Sequence, residues 1–328
     1  MIFGWQSVHS CCILLSSPQA ALTPAAVLRL LPVLLLCLSG RLAHGQTLAV
    51  LHPELNGPYR SVVSEILQGV EEQTRSRPRA IALGQIADGS ELRASLKNSK
   101  AVIALGRQGM KVAATLEAGT PVVIGGVNPG AEGEQLNGIS MMPDPALLFS
   151  LLRNVLPGVK RVMVVYHPQN SEAQLRLARE AARAQGLDFS ALEATDLASA
   201  ARAYEALLST ADGRRDALWL PQDGTTVEET TLLPMILKES WSRSLPVFSS
   251  SVLHVKKGVL FGMYPNNVQL GHDLAQLATA LQNGETIRRG LTPLRALSSA
   301  LNTRTASHLG LHLSTAQQRQ FDAIFPEL

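Results

Sequence analysis

Aromatic residues make up only 4% of the 328-residue chain, and 29 basic residues are nearly balanced by 26 acidic ones. Both shortages count against a nucleic-acid partner, which needs stacking platforms and a basic footprint. The chain holds just three cysteines, Cys11, Cys12 and Cys37, all within the first 45 residues. If that segment is removed, no thiol remains, and an exported domain without disulfides must be held by its core alone. The same 45 residues contain no Asp or Glu and two basic residues, Arg29 and Arg41. Their apolar run, Leu30 to Leu38, is too short for a membrane span of about 20 residues, and Arg29 and Pro32 stop any backward extension.

What is present instead is a secretory pattern. Ala43-His44-Gly45 places small residues where a signal peptidase requires them, predicting a cut before Gln46 and a signal peptide with an extended leader over residues 1–45. The long uncharged stretch Met1 to Ala26 is unusual for a signal and is explained if translation starts near Val27. Cys37 follows Leu36, not the small residue that normally precedes a lipidated cysteine. The remainder carries 27 basic and 26 acidic residues, so bulk charge does no steering. A signal without disulfides predicts a periplasmic location, and the length predicts about two globular units at roughly 100 to 200 residues each.

Continuous Val, Ile and Leu runs recur between segments of helical period, the pattern of parallel strands covered on both faces by crossover helices. The predicted strands are 47–51, 79–83, 101–105 and 121–127, then 161–166, 188–194, 216–220, 246–248 and 258–262. The predicted helices are 59–74, 106–118, 146–155, 171–185, 198–209, 226–240 and 268–282. The two sets open alike, with Leu51-His52-Pro53 in the first and Tyr166-His167-Pro168 in the second. Two similar α/β lobes are expected, each a doubly wound parallel sheet, joined by a hinge.

Met141-Met142-Pro143-Asp144-Pro145 marks the first crossing, because two prolines in three residues stop a strand and Asp144 can cap the next helix. A second crossing near Tyr264-Pro265-Asn266 returns the chain. The expected division is residues 46–142 plus about 265–290 in the first lobe, and 143–264 plus about 291–328 in the second. In open parallel sheets ligands bind beyond the carboxyl ends of the strands, so two such sheets line one cleft.

The strand-to-helix loops are small, polar and glycine-rich, and helix N-termini within them offer backbone N–H groups to an anion. They supply the candidate ligand-binding residues: His52, Tyr59, Gly106, Gln108 and Asn128 in the first lobe, and His167, Asn170, Asp223, Thr225, Thr226, Ser250 and Tyr264 in the second. Pro221-Gln222-Asp223-Gly224-Thr225-Thr226 has two readings. Asp223 holds a ligand ammonium, or it merely ends a strand while a threonine caps the next helix. His52 and His167 stand at equivalent strand ends, which permits a metal chelate, whereas an X-Pro turn lets each imidazole bond a neighbouring backbone group. Tyr59, Tyr166, Phe248 and Tyr264 flank the same loops as stacking or packing residues, and Trp219 belongs in the core. Rim charges such as Arg60 or Arg107 are candidates for docking a partner or are simply solvated.

No G-x-S-x-G, G-x-x-x-x-G-K-[ST] or H-E-x-x-H motif is present. Pro129 removes a donor from the Gly125–Gly130 segment and no Lys follows, so a phosphate loop is unsupported. Ser249, Ser250 and Ser251 near His254 lack the orienting acid of a nucleophilic triad. No enzymatic activity and no cofactor are expected.

Beyond these loops, the chain resembles the ABC-transporter substrate-binding protein family that includes tryptophan and tyrosine binders, over nearly all of residues 47–323. The likeness rests on Ala101 to Gly106, Pro121 to Ile124, Leu156 to Val162, Pro221 to Val227, and Lys257 to Leu260 leading to Tyr264 and Leu270-Gly271. The resemblance implies a periplasmic-binding-protein type I-like fold whose lobes close on an amino acid or similar small polar molecule, and an ABC permease in the inner membrane as partner for a monomer. It implies binding roles for Asp223 and Thr225. Two loops depart from the family's pattern: Asn128 stands where an acid is usual, and Pro265-Asn266-Asn267 where an acidic or aromatic pair is usual. The alternative outputs are a periplasmic sensor feeding a receptor or kinase, a metal-chelate binder using His52 and His167, and an envelope enzyme of unknown type.

Overall fold

The computed structural model describes residues 48–54, 59–85, 89–116, 119–128 and 136–327. The signal segment expected over 1–45, the start of the 121–130 loop's far side at Pro129 and Gly130, and the side chain of Tyr59 lie outside what is described.

The first run of elements is β1 (Leu48–His52), α1 (Tyr59–Thr74), β2 (Arg79–Ala82), α2 (Gly89–Leu96), β3 (Ala101–Leu105), α3 (Gly106–Ala113), β4 (Val122–Val127) and β5 (Gly138–Pro143). These strands pair in parallel. Their side chains alternate between two apolar layers, as a pleated strand buried on both sides requires. Leu48, Val50 and Ile103 meet α1 through Ile66 and Val70. On the other face Ala49, Leu51 and Ala104 meet Leu92 and Leu96 of α2 and Met110 of α3.

The second run is α4 (Pro145–Val155), β6 (Arg161–Tyr166), α5 (Pro168–Ala184), β7 (Asp188–Glu193), α6 (Leu197–Ser209), β8 (Asp216–Leu220), α7 (Leu232–Ser242), β9 (Val247–Ser249), α8 (Val252–Lys257) and β10 (Phe261–Pro265). One face of this sheet packs Val162, Val164 and Trp219 on Leu148, Phe149 and Leu152 of α4. Trp219 is fully buried, as expected, and meets Phe149 edge-on at 5.6 Å. Phe248 proves to be core as well, stacked on Phe261 at 5.3 Å. The opposite face packs Met163, Val165 and Leu218 on Tyr204 and Leu207 of α6 and Leu233 and Ile236 of α7.

Chain continuity between the sheets sets the hinge. After β10 the chain returns to form α9 (Asn267–Gln282), which covers the first sheet with Leu270 and Leu274, and β11 (Leu291–Leu294), which pairs in parallel with β5. It then crosses a third time to β12 (Leu297–Asn302), α10 (Thr303–His308), α11 (Thr315–Gln318) and β13 (Ala323–Phe325). The sheet orders are β11-β5-β4-β3-β1-β2 and β13-β12-β10-β9-β8-β6-β7, with β12 antiparallel to β10. Residues 291–294 therefore belong to the first sheet, not to the second lobe where the sequence pattern put them, because β5 offers that short strand a ladder.

The crossing at Met141 to Pro145 forms as its prolines dictate. β5 ends at Pro143, and the Asp144 carboxylate accepts from the Ala146 N–H at 2.9 Å to cap α4. The Asp144 N–H donates to Leu294 O at 2.8 Å, and the Asn266 N–H donates to Ala296 O at 2.9 Å, so the three crossing segments are laced together. Arg295 pairs with the second Asp144 oxygen. The helices α1 and α9 touch through glycines: a Cβ on Gly271 would lie 2.2 Å from Ile66 O and 3.0 Å from the Gly69 Cα.

Candidate ligand-binding site

Strand direction delivers the candidate residues to the carboxyl ends of both sheets. In the first lobe His52 ends β1, Gly106 opens α3 directly after β3, and Asn128 follows β4. Gly106 and Gly126 adopt φ of +74° and +70°, a left-handed conformation that glycine reaches without a Cβ penalty. The loops consequently approach closely. A Cβ on Gly106 would meet the Pro53 ring at 3.6 Å, and one on Gly126 would meet the Gly106 nitrogen at 3.5 Å. This wall is largely backbone, with Arg107, Gln108 and Asn128 exposed above it.

In the second lobe a carboxylate organises the wall. Asp223 is 3% exposed. One of its oxygens accepts from the His167 N–H at 2.8 Å and the Ser171 hydroxyl at 3.0 Å. The other accepts from Asn170 Nδ2 at 3.2 Å and from the N–H groups of Thr225 and Thr226 at 3.0 and 3.4 Å. Burial alone raises this carboxyl, but the hydrogen bonds from His167, Thr225, Asn170 and Ser171 outweigh it and hold the group below the usual value. Five donors reach its two oxygens, and of the two readings of this loop the turn-forming one accounts for all of them. Asp223 ties the turn after β8 to the start of α5, the turn-forming role that its Asp-Gly-Thr-Thr context also allowed.

The remaining candidates divide by exposure. Asn170, with Nδ2 also 3.5 Å from Thr225 Oγ1, stands exposed beside half-buried Thr225. Thr226 is fully buried, its hydroxyl without a partner, as is the hydroxyl of nearby Tyr204. Ser250 is buried and accepts from Trp219 Nε1 at 3.2 Å, while its carbonyl accepts from Gln222 Nε2 at 2.9 Å. Tyr264 packs at the second crossing against Val255 and Phe325. Its phenol is pushed up by burial and by Asp322, against a hydrogen bond with Ser298. Ser171 and Gln222, which sequence reasoning passed over, complete this wall; only their proximity to the Asp223 and Ser250 loops marks them.

The histidines take the backbone option. His52 Nδ1 lies 2.9 Å from Pro53 O, and His167 Nδ1 accepts from the Gln169 N–H at 3.2 Å. Among the described residues no group of three or more His, Cys, Asp or Glu is placed to hold a metal ion. Ser249 Oγ meets His254 Nδ1 at 2.7 Å, both buried, and Ser249 Oγ is also 3.2 Å from Leu220 O. Burial, with Lys257, holds the His254 imidazole below its usual value, partly offset by Glu229.

The model of the ABC transporter substrate binding protein family matches residues 110–316. The chain belongs to this family. Membership implies a small-molecule ligand and a membrane permease as partner, and the family is one of binding proteins. Among solved structures, the fold is shared with a ligand-free, open substrate-binding protein with adhesive properties from Clostridium difficile, at 17% identity, TM-score 0.61, and coverage of 85% of this chain and 98% of that one. It is also shared with an ABC domain in complex with L-Trp from Streptococcus pneumonia, at 17% identity, TM-score 0.50, and coverage of 85% and 100%. A conserved domain protein from Vibrio cholerae matches at 16% identity, TM-score 0.51, and coverage of 85% and 99%. No curated protein matches the chain. The expected type I-like fold of two mostly parallel α/β lobes is what the chain adopts. No helix of the described residues is long and apolar enough to cross a membrane.

Proposed function

We propose that the protein is the periplasmic solute-binding component of an ABC uptake system, exported by its signal segment and acting as a monomer without catalysis. It captures an amino acid or similar small polar molecule between the lobes and presents the closed form to an inner-membrane permease. The observation that carries this reading is the family match together with two mostly parallel sheets whose loop-bearing strand ends are linked by three crossing segments. Closure informs a permease only if the ligand binds open and closed forms with different free energies. The L-Trp-bound relative supports an amino-acid-like ligand.

With Asp223 saturated, the polar contacts proposed for the ligand are the exposed or half-buried side chains of Gln108, Asn128, His167, Asn170 and Thr225, with the Gly106 N–H at the start of α3. His52 and Tyr264 flank them. The test is calorimetric titration of the chain from Gln46 onward with amino acids, short peptides and nucleosides, with scattering profiles for closure. One saturating class with a reduced radius of gyration is expected. Turnover of a titrant, or no binding across all classes, would refute the reading.

A further inference from the structure

We propose that a groove at the outer edge of the first sheet, running from β11 onto α5, is a second binding site that takes a small oxyanion and whose occupant links the two lobes. The groove has a volume of about 510 Å³ and is lined by Arg176, Arg288 and Arg295, together with Asp144, Asp273 and Thr292. It is not the interlobe cleft. The cleft loops follow β1, β3 and β4, whereas β11 is the terminal strand of its sheet.

The charges within it are unevenly used. Asp144 is fully engaged, one oxygen on the Ala146 N–H and the other on Arg295. Asp273 Oδ1 accepts from Gln269 Nε2 at 2.9 Å. Arg176 and Arg288 are exposed and form no ion pair among the described residues. Three guanidiniums against two carboxylates leave the groove positive, and two planar forks without partners match the paired oxygens of a phosphate or carboxylate.

The two free guanidiniums come from different lobes. Arg176 lies on α5, which is anchored in the second core by Leu175 and Ala178. Arg288 precedes β11, which is paired to β5 in the first. An anion held by both spans the boundary beside the laced crossing segments, so its affinity depends on how the lobes are set. By linkage it shifts the affinity of the cleft by the same factor.

Titration with inorganic phosphate, at ionic strength held constant with chloride, tests this without knowledge of the cleft ligand. One saturable site is expected in the wild-type chain, weakened about tenfold in Arg176→Gln and in Arg288→Gln by loss of a charge-assisted contact. Arg107→Gln, at the cleft rim, should bind phosphate like wild type. No saturable binding, or a loss confined to Arg107→Gln, would overturn the site. The radius of gyration should change on saturation with phosphate, and binding without such a change would overturn the link between lobes. All three arginines are exposed, so circular dichroism should report an intact fold in each variant.

Discussion

Replacing Asp223 with Asn separates two roles for this carboxylate, because the substitution keeps the shape and removes the charge. In the wild type one oxygen faces the His167 N–H and the Ser171 hydroxyl, the other Asn170 and the N–H groups of Thr225 and Thr226. An amide has one acceptor oxygen. Its best placement keeps the three-donor side and turns its NH2 toward His167 and Ser171. The Ser171 hydroxyl can rotate to accept, but the His167 N–H cannot, so a buried donor faces a donor at a cost of about 1 to 3 kcal/mol. Loss of charge on the remaining bonds brings the total to about 3 kcal/mol.

Urea unfolding at pH 7 should show this as a lowered midpoint with an unchanged slope. The acid limb supplies a second check. The folded-state pKa lies below the usual carboxylate value of about 3.9, so the group's contribution is complete above that pH and disappears as pH falls through the folded-state value. The gap between wild type and Asp223→Asn should therefore narrow below about pH 4. Equal stability at pH 7, with ligand affinity reduced by one to two orders of magnitude, would refute this reasoning and return Asp223 to the ligand.

Arg161 holds the buried Asp216 by two bonds of 2.9 and 2.5 Å, so Arg161→Met should destabilise by about 3 kcal/mol in denaturant melts, and adding Asp216→Leu should recover most of it. Gly271→Ala drives a Cβ to 2.2 Å from Ile66 O, and the forced separation of α1 and α9 should cost about 1 to 3 kcal/mol in excess of any helix-propensity gain, whereas Gly89→Ala, with open space around it, should melt like wild type. Because burial holds His254 below its usual value, the folded state resists its protonation. Stability should fall as pH drops below about 6.5, and a melting-temperature series should be flatter over pH 5 to 6.5 in His254→Gln.

Strands buried on both faces announce themselves, since their central positions must be apolar. Residues 101–105, 161–166 and 216–220 occupy the limits that their Val, Ile and Leu content implies. Segments at sheet margins carry no such demand. Leu-Thr-Pro-Leu of β11 and Leu-Ser-Ser-Ala-Leu-Asn of β12 carry no continuous apolar run, so the third crossing, expected near residue 290, lies instead between Leu294 and Leu297. Two boundaries shifted through local chemistry. The helix expected from Thr226 begins at Leu232, because Glu228 accepts from the N–H groups of Thr230 and Thr231 and from the Thr230 hydroxyl, bonds that hold its carboxyl down to about 2 and fold the chain into a turn. The strand expected at 258–262 runs 261–265, since Gly258 at φ +122° first closes α8.

The candidate site shows the same division between what is local and what is not. The position of the candidate loops was legible, because the carboxyl end of a parallel strand is a position that the order of elements fixes. The role of each polar group was not, because that depends on which donors arrive from elsewhere in the chain. Asp223 looks like a ligand contact when only its own loop is in view. Its strongest neighbours, the His167 N–H and the Ser171 hydroxyl, come from a segment more than fifty residues earlier. They reach it only because β6 and β8 are adjacent strands. A carboxylate satisfied in this way fixes the spacing of two loops, and with it the positions of Asn170 and Thr225. On the proposed reading the loop sets ligand affinity through this spacing and not through its acid, which the Asp223→Asn variant tests.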